Sequence, residues 1–438
     1  MNAVIKILNY RFYVKNFLLL FLTYFLMEGI FSWIFIRNSV YIQGYQKALG
    51  LLIYAFMLYK FQHLKKGERI CIGIFTAVMV RLVLESLFKY DSVFKQLTMF
   101  TVLFPVIFAL FIKYILRSMQ LDLLEFMSKF YLITYLVFMV LFGRGFSFSL
   151  EAVEMDDYGP FSGDSRVMHA SHVFMMIVPF LFYLNQFIIT RKNKYLLPVF
   201  LCVLVILVHQ HRSVWSSTLV ALFFYFVASI RNRVQSFSSA GKLGLGILAV
   251  LFLSYFFVSS LAPGFIDFLA ERFSEIFDPS KEGSTGNFRI EQREVYSAMF
   301  LERPIFGWTF EGFEMPNPLV DWWPEMTGQH FHEGYIEMLF YHGVVGLVLK
   351  YFFVFYLLYI IFSKKLSDQS IILASFGISG LLFSFNYVLP LIFFGHVGMC
   401  LYYLDKDKEE ANEDDTDTDE YEVVSSKIKS KPESFFQS

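Results

Sequence analysis

The chain has 438 residues, of which 56% are hydrophobic and only 17% charged, with a net charge of −1 and a mean hydropathy of +0.52. Soluble domains carry about 25% charged residues, so the composition excludes an ordinary soluble fold and gives no reason to expect a nucleic-acid partner. Cys71, Cys202 and Cys400 all fall inside apolar runs, which excludes a disulfide framework or a cysteine metal site.

Apolar runs near the ~20 residues needed to cross a bilayer recur along the chain. In order they cover Phe17–Ile36, Ala48–Phe61, Ile70–Phe88, Leu97–Leu116, Phe126–Phe142, Val167–Ile189, Tyr195–His209, Trp215–Ile230 and Leu243–Leu261, then Val344–Phe362, Ser370–Phe385 and Val388–Leu404. The expected fold is therefore an all-α, polytopic membrane bundle of about twelve spans. The first run is long enough to remain as a span rather than be cleaved as a signal. Lys and Arg concentrate in alternate connections, at Lys6/Arg11/Lys15, Lys60/Lys65/Lys66/Arg69, Lys113/Arg117, Arg191/Lys192/Lys194, Arg231/Arg233/Lys242 and Lys364/Lys365. Positive charge marks the cytoplasmic side. Both termini are then expected in the cytoplasm, with the loop 145–166, Arg212 and the segment 263–342 outside.

Four regions follow: spans in 1–262, one large outside segment in 263–342, spans in 343–404, and a tail over 405–438. The tail carries twelve acidic and five basic side chains, leaving 32 basic against 26 acidic in residues 1–404. Its DKDKEEANEDDTDTDEYE stretch is too charged and too poor in apolar residues to be expected to fold.

The outside segment is the longest polar interruption. Ala262–Phe277 has Phe265, Phe268, Leu269, Phe273 and Ile276 at helical spacing, a stripe suited to a membrane surface. A turn-rich DPSKEGSTGN follows. A second helix is expected after Asn287 as N-cap and is limited by Pro304. Residues 304–329, rich in Gly, Pro and aromatics, are expected to be irregular, and a helix resumes after His332.

Arg289, just inside the second helix, is placed to form bidentate bonds with phosphate; the alternative is a pair with Glu291 or Glu294. His332 stands near the membrane mouth, where an imidazole titrating near ~6.5 can act as a general base or serve as an interfacial polar group. Arg212, in HQHRSVW at the head of a span, is either functional or snorkels to the surface. Trp308–Trp323 offers aromatic faces for sugar rings or for interface packing.

Arg289, Tyr296 and Pro304–Gly307 in the pattern R-x6-Y-x7-P-I-F-G, then a histidine, then G-V-V-G at Gly343–Gly346, resemble the O-antigen ligase/polymerase family. Arg-Ser-x-Trp at 212–215 matches its second arginine, and 159–174 is similar to an earlier family segment. The resemblance covers roughly residues 140–365. It implies a helical bundle of the GT-C kind in the bacterial inner membrane, with the large loop periplasmic. The implied reaction moves a glycan from undecaprenyl diphosphate to an acceptor hydroxyl on glycan, lipid A core or protein, with no metal and no cofactor. Carried over, Arg212 and Arg289 hold the diphosphate and His332 orients or deprotonates the acceptor. Two departures stand out: Gly307-Trp308-Thr309 replaces the family's G-x-G, and Glu333 replaces the Asn that usually follows the histidine.

Two other readings compete. A flippase or transporter would use polar groups within the membrane, with Arg81 and Glu85 as candidates on one helix face. A metalloenzyme would gather His169/His172, His209/His211 and His330/His332, although HxH does not share a helical face and no HExxH occurs.

Overall fold

A computed structural model describes residues 4–7, 10–36, 39–142, 168–209, 211–232, 285–320, 328–329 and 331–429. The loop 145–166, the expected span Leu243–Leu261, the amphipathic stretch Ala262–Phe277, Trp322, Trp323 and His330 lie outside the described residues.

A short antiparallel hairpin, β1 (Val4–Ile7) and β2 (Tyr10–Tyr13), pairs Ile5 with Phe12 and precedes an otherwise helical chain. α1 (Val14–Thr23) and α2 (Gly29–Ile36) meet at a 96° bend, where the buried Glu28 takes the Phe31 N–H (2.6 Å) and the Tyr135 hydroxyl (3.0 Å). Next come α3 (Ser39–Tyr59), α4 (Lys66–Tyr90), α5 (Leu97–Met119), α6 (Leu124–Phe142) and α7 (Ala170–Thr190). α8 (Leu196–Val208), α9 (Arg212–Arg231), α10 (Thr285–Glu302) and α11 (Thr309–Glu314) follow. The chain closes with α12 (Gly334–Ser363), α13 (Asp368–Phe383) and α14 (Leu391–Lys429).

Among the described residues six helices are long and apolar enough to cross a membrane: α4, α5, α6, α7, α9 and α12. The bent α1–α2 pair makes a seventh if counted as one span. The apolar stretches expected near residues 195–209 and 370–385 form the shorter helices Asn193–Val208 and Asp368–Phe383. The chain is a multi-pass helical membrane protein. Its core is formed by α5 packed on α14 and α9 packed on α13. Gly398 lets the first pair approach closely, since a Cβ there would collide with the Ala109 carbonyl oxygen.

Three boundaries differ from the sequence reading. α10 starts at Thr285, so Asn287 lies in its first turn rather than capping it. α12 starts at Gly334, so the boundary set at 342–343 falls inside one helix, at a kink where Gly343 has φ 61°. α14 runs past Leu404 into the acidic tail, whose first residues were expected to stay unfolded. The physical reason is ion pairing. Asp405 lies 2.9 Å from Lys65 and 3.0 Å from Lys113, Lys113 lies 3.0 Å from Glu68, and Asp407 accepts the Ser367 N–H at 3.0 Å.

These contacts define one end of the bundle, rich in basic connections. Arg117 forks onto Glu68 (3.1 and 3.2 Å), and Arg231 donates to the Ile361 carbonyl (2.7 Å). The opposite end collects residues 91–96, 168–169, His209, His211, 303–320, 328–329, 331–333 and 384–390. Arg81 and Glu85, 3.2 Å apart, belong there. Glu85 accepts from the Thr309 hydroxyl (2.7 Å), the Arg81 guanidinium covers the Phe306 ring (4.2 Å), and Gln96 takes the Phe310 N–H (3.2 Å). The pair read as a transporter candidate therefore fastens the polar segment to α4.

Candidate functional site

The polar segment is clipped onto the kinked helix α12 by the residues of its own motif. The break at Gly343 removes the helical partners of the next N–H groups, and Val344 and Val345 donate instead to the Pro304 and Ile305 carbonyls (2.9 and 3.2 Å). Trp308 N–H returns a bond to the Phe340 carbonyl (2.8 Å). Both glycines adopt positive φ, and a Cβ at Gly307 would lie 2.5 Å from the Phe340 oxygen. P-I-F-G and G-V-V-G are thus two halves of one joint.

Thr309 occupies the position of the missing second glycine and keeps a left-handed φ of 51°, which is rare for a β-branched residue. Its hydroxyl bonds to Glu85 and Gln96 (2.7 and 3.3 Å) hold it there. Arg303 forks onto Glu311 (2.7 and 2.9 Å) and stacks on Trp308 (4.0 Å), and Lys89 also pairs with Glu311. The Arg303 fork, helped by Lys89, outweighs desolvation and holds the Glu311 carboxyl below its ordinary range. Trp308 and Phe310 are buried, so these two aromatics pack rather than present free faces.

α10 carries the first expected site residue and positions the second. Tyr296 is buried against Phe331 and Phe340, and its hydroxyl donates to Gln329 (2.8 Å). The buried Gln292 accepts the His332 N–H (3.2 Å), and Phe288 meets the His332 ring edge to face at 5.5 Å. Arg293 forks onto Glu333 through Nε–Oε2 (2.9 Å) and Nη2–Oε1 (2.6 Å). Glu333 is only 2% exposed. Burial raises its carboxyl above the ordinary range, with Arg293 and Arg289 opposing the shift.

Arg289 stands one turn before Arg293 on the same face. It has no carboxylate partner among the described residues: Glu291 accepts from Asn287 (2.8 Å), and the buried Arg289 Nε makes no hydrogen bond. Its guanidinium lies 5.4 Å from the Tyr387 ring centre.

Arg212 opens α9. Trp215 Nε1 donates to the Ile206 carbonyl (3.0 Å), and His211 Nε2 donates to the Met168 carbonyl (2.8 Å), fixing the α8–α9 corner on which Arg212 sits half-buried. The His211 ring lies 6.5 Å from His169, which in turn meets Tyr387 edge-on at 5.4 Å. Arg289 therefore lies on α10 and His332 is held against it, whereas Arg212 is linked to them through His211, His169 and Tyr387. His209 Nδ1 is committed to the Val205 carbonyl (2.8 Å). Among the described residues no group of three His, Cys, Asp or Glu side chains could hold a metal ion.

Residues 197–351 match the O-antigen ligase family. Over that segment the chain is similar to O-antigen ligases. The O-antigen ligase segment contains Arg212, Arg289, Glu333 and His332, and both halves of the Gly307–Gly343 joint. The match supports an O-antigen ligase- or polymerase-like membrane enzyme acting in surface-polysaccharide assembly. No curated protein matches the chain. Sequence reasoning missed Arg293 as the partner of Glu333 and missed Tyr387 altogether. The i,i+4 spacing of Arg289 and Arg293 was visible, but Tyr387 sits between two apolar runs like any interfacial aromatic.

Proposed function

We propose that this protein is a glycosyltransferase of the bacterial inner membrane, with its large loop periplasmic, moving a glycan from undecaprenyl diphosphate to an acceptor hydroxyl. The observation that carries the reading is the state of Arg289. Within a segment that matches O-antigen ligases, Arg293 and Arg303 are each neutralised by a carboxylate, while among the described residues Arg289 has no ion pair and its buried Nε no acceptor. A buried unsatisfied guanidinium N–H is costly and suits an anion supplied by substrate.

In the reaction, Arg289 and Arg212 bind the diphosphate and stabilise charge as the bond between the sugar C1 and the phosphate oxygen breaks. The acceptor oxygen forms the new bond to C1, and its proton passes to His332. Undecaprenyl diphosphate is already a good leaving anion, so two cations aimed at developing charge supply much of the acceleration. The acceptor is lipid A core or protein for a ligase, and another lipid-linked repeat for a polymerase.

The test is the surface-glycan profile of strains carrying Arg212→Ala, Arg289→Ala or His332→Ala. Each strain should lose the glycan product while the protein still inserts and accumulates. Normal glycan in all three would refute the site. In a deletion strain, acceptor capped with a single repeat points to a polymerase, whereas uncapped core points to a ligase. A flippase reading loses its candidate residues, because Arg81 and Glu85 are occupied in holding Phe306 and Thr309.

A further inference from the structure

The connection between α13 and α14 lies outside the segment matched to O-antigen ligases, yet it touches α10, the start of α12 and His169. Its backbone is fixed from several directions. Gly334 N–H donates to the Ser384 carbonyl (2.9 Å), Tyr335 donates to the Leu381 carbonyl (2.8 Å), and Arg293 Nη2 lies 3.5 Å from the Phe385 carbonyl. The Tyr387 N–H donates to the Phe383 carbonyl (3.0 Å), and the two rings stack at 5.3 Å. A side chain leaving this connection is therefore held in a defined direction.

At Tyr387 that direction joins the two halves of the site. One contact is the Arg289 guanidinium at 5.4 Å, and the other is the His169 ring at 5.4 Å and 85°. His169 leads on to His211 and the head of α9. A cation beside an aromatic ring is attracted by the ring quadrupole without losing its charge. A carboxylate partner would have neutralised Arg289, as Glu333 neutralises Arg293; a tyrosine ring orients it and leaves its N–H groups available. The Tyr387 hydroxyl has no hydrogen-bond partner among the described residues, and the side chain is only half-buried.

We propose that Tyr387 is a further residue of the donor site: its ring positions Arg289, and its hydroxyl donates a hydrogen bond to the anion that Arg289 binds. This rests on the diphosphate reading above. The ring then acts through Arg289, whereas the hydroxyl acts on the ligand directly, so the two contributions separate by mutation.

The experiment measures binding of undecaprenyl diphosphate to the full chain in lipid nanodiscs. Tyr387→Phe keeps the ring and should weaken binding by about tenfold, the effect of one hydrogen bond to a charged group. Tyr387→Leu should weaken it further, by about another three- to tenfold. In an Arg289→Ala background the Phe substitution should still cost its factor, while the additional loss from Phe to Leu should vanish. Wild-type binding by both Tyr387 variants would overturn the proposal. So would a Phe-to-Leu loss that persists undiminished without Arg289, which would make the ring mere scaffold. If Arg289→Ala itself binds undecaprenyl diphosphate as wild type does, the diphosphate reading fails first, and that result is separate from any behaviour of Tyr387.

Discussion

Arg289, Arg293 and Arg303 share one helix and its exit, but among the described residues only the last two are tied to carboxylates, and on the proposed reading this difference separates function from stability. Arg293→Ala leaves the buried Glu333 carboxylate without its cation and should cost about 1–3 kcal/mol. Arg289→Ala should leave thermal stability close to wild type while abolishing transfer, so melting curves of the two variants in nanodiscs distinguish their roles. Glu333 also gives a pH signature. Its carboxyl is raised in the folded protein, so the fold binds more protons than the unfolded chain. Stability from this group is complete below the ordinary carboxyl range and is lost as pH rises through the folded value. Melting temperature measured upward from about pH 4 should therefore fall more steeply in wild type than in Glu333→Gln. Arg212, Arg289 and His332 were legible only as candidates, singled out by the resemblance of their motifs to O-antigen ligases. Tyr387 was not, since only the folded chain puts it beside Arg289.

Among the elements, the joint between P-I-F-G and the Gly343 kink decides how the polar segment sits on the bundle. Gly343→Ala would force a Cβ to 2.5 Å from the Ile305 oxygen at a φ of 61°. With ψ at −159° this backbone conformation is essentially open to glycine alone and costs another residue about 1–3 kcal/mol, and the steric clash adds to it, so both thermal stability and glycan transfer should drop. Thr309→Val is the subtler case. It preserves shape but removes the hydroxyl shared by Glu85 and Gln96, and a loss of about 1–3 kcal/mol should appear in the melting curve. Of the twelve apolar runs read from the sequence, six fall in described helices long enough to cross a membrane, because lipid imposes length and composition directly. Hydropathy missed the unity of α12, since the kink comes from a contact between residues some forty positions apart. It also set the start of the tail too early, because α14 is extended by ion pairs to Lys65 and Lys113 that composition cannot reveal.

The whole molecule is polarised between a basic end, closed by Glu68, Lys113 and Asp405, and a site end, where Arg289, His332 and Tyr387 gather. The alternation of lysine and arginine along the sequence carried this polarity, because each connection reports its own side. With Cys71, Cys202 and Cys400 replaced, a cysteine at Asn317 should react with an impermeant maleimide in intact spheroplasts, whereas one at Lys364 should react only after permeabilisation. Labelling at both positions alike would reject the orientation. The central claim, that a lipid-linked diphosphate is gripped at the site end by arginine, is tested most directly by reconstituted turnover. Purified protein in nanodiscs, given a glycan on undecaprenyl diphosphate and its acceptor, should release undecaprenyl diphosphate as glycan is transferred. Folded Arg289→Ala protein should release none above background; release at the wild-type rate by that variant would contradict the account.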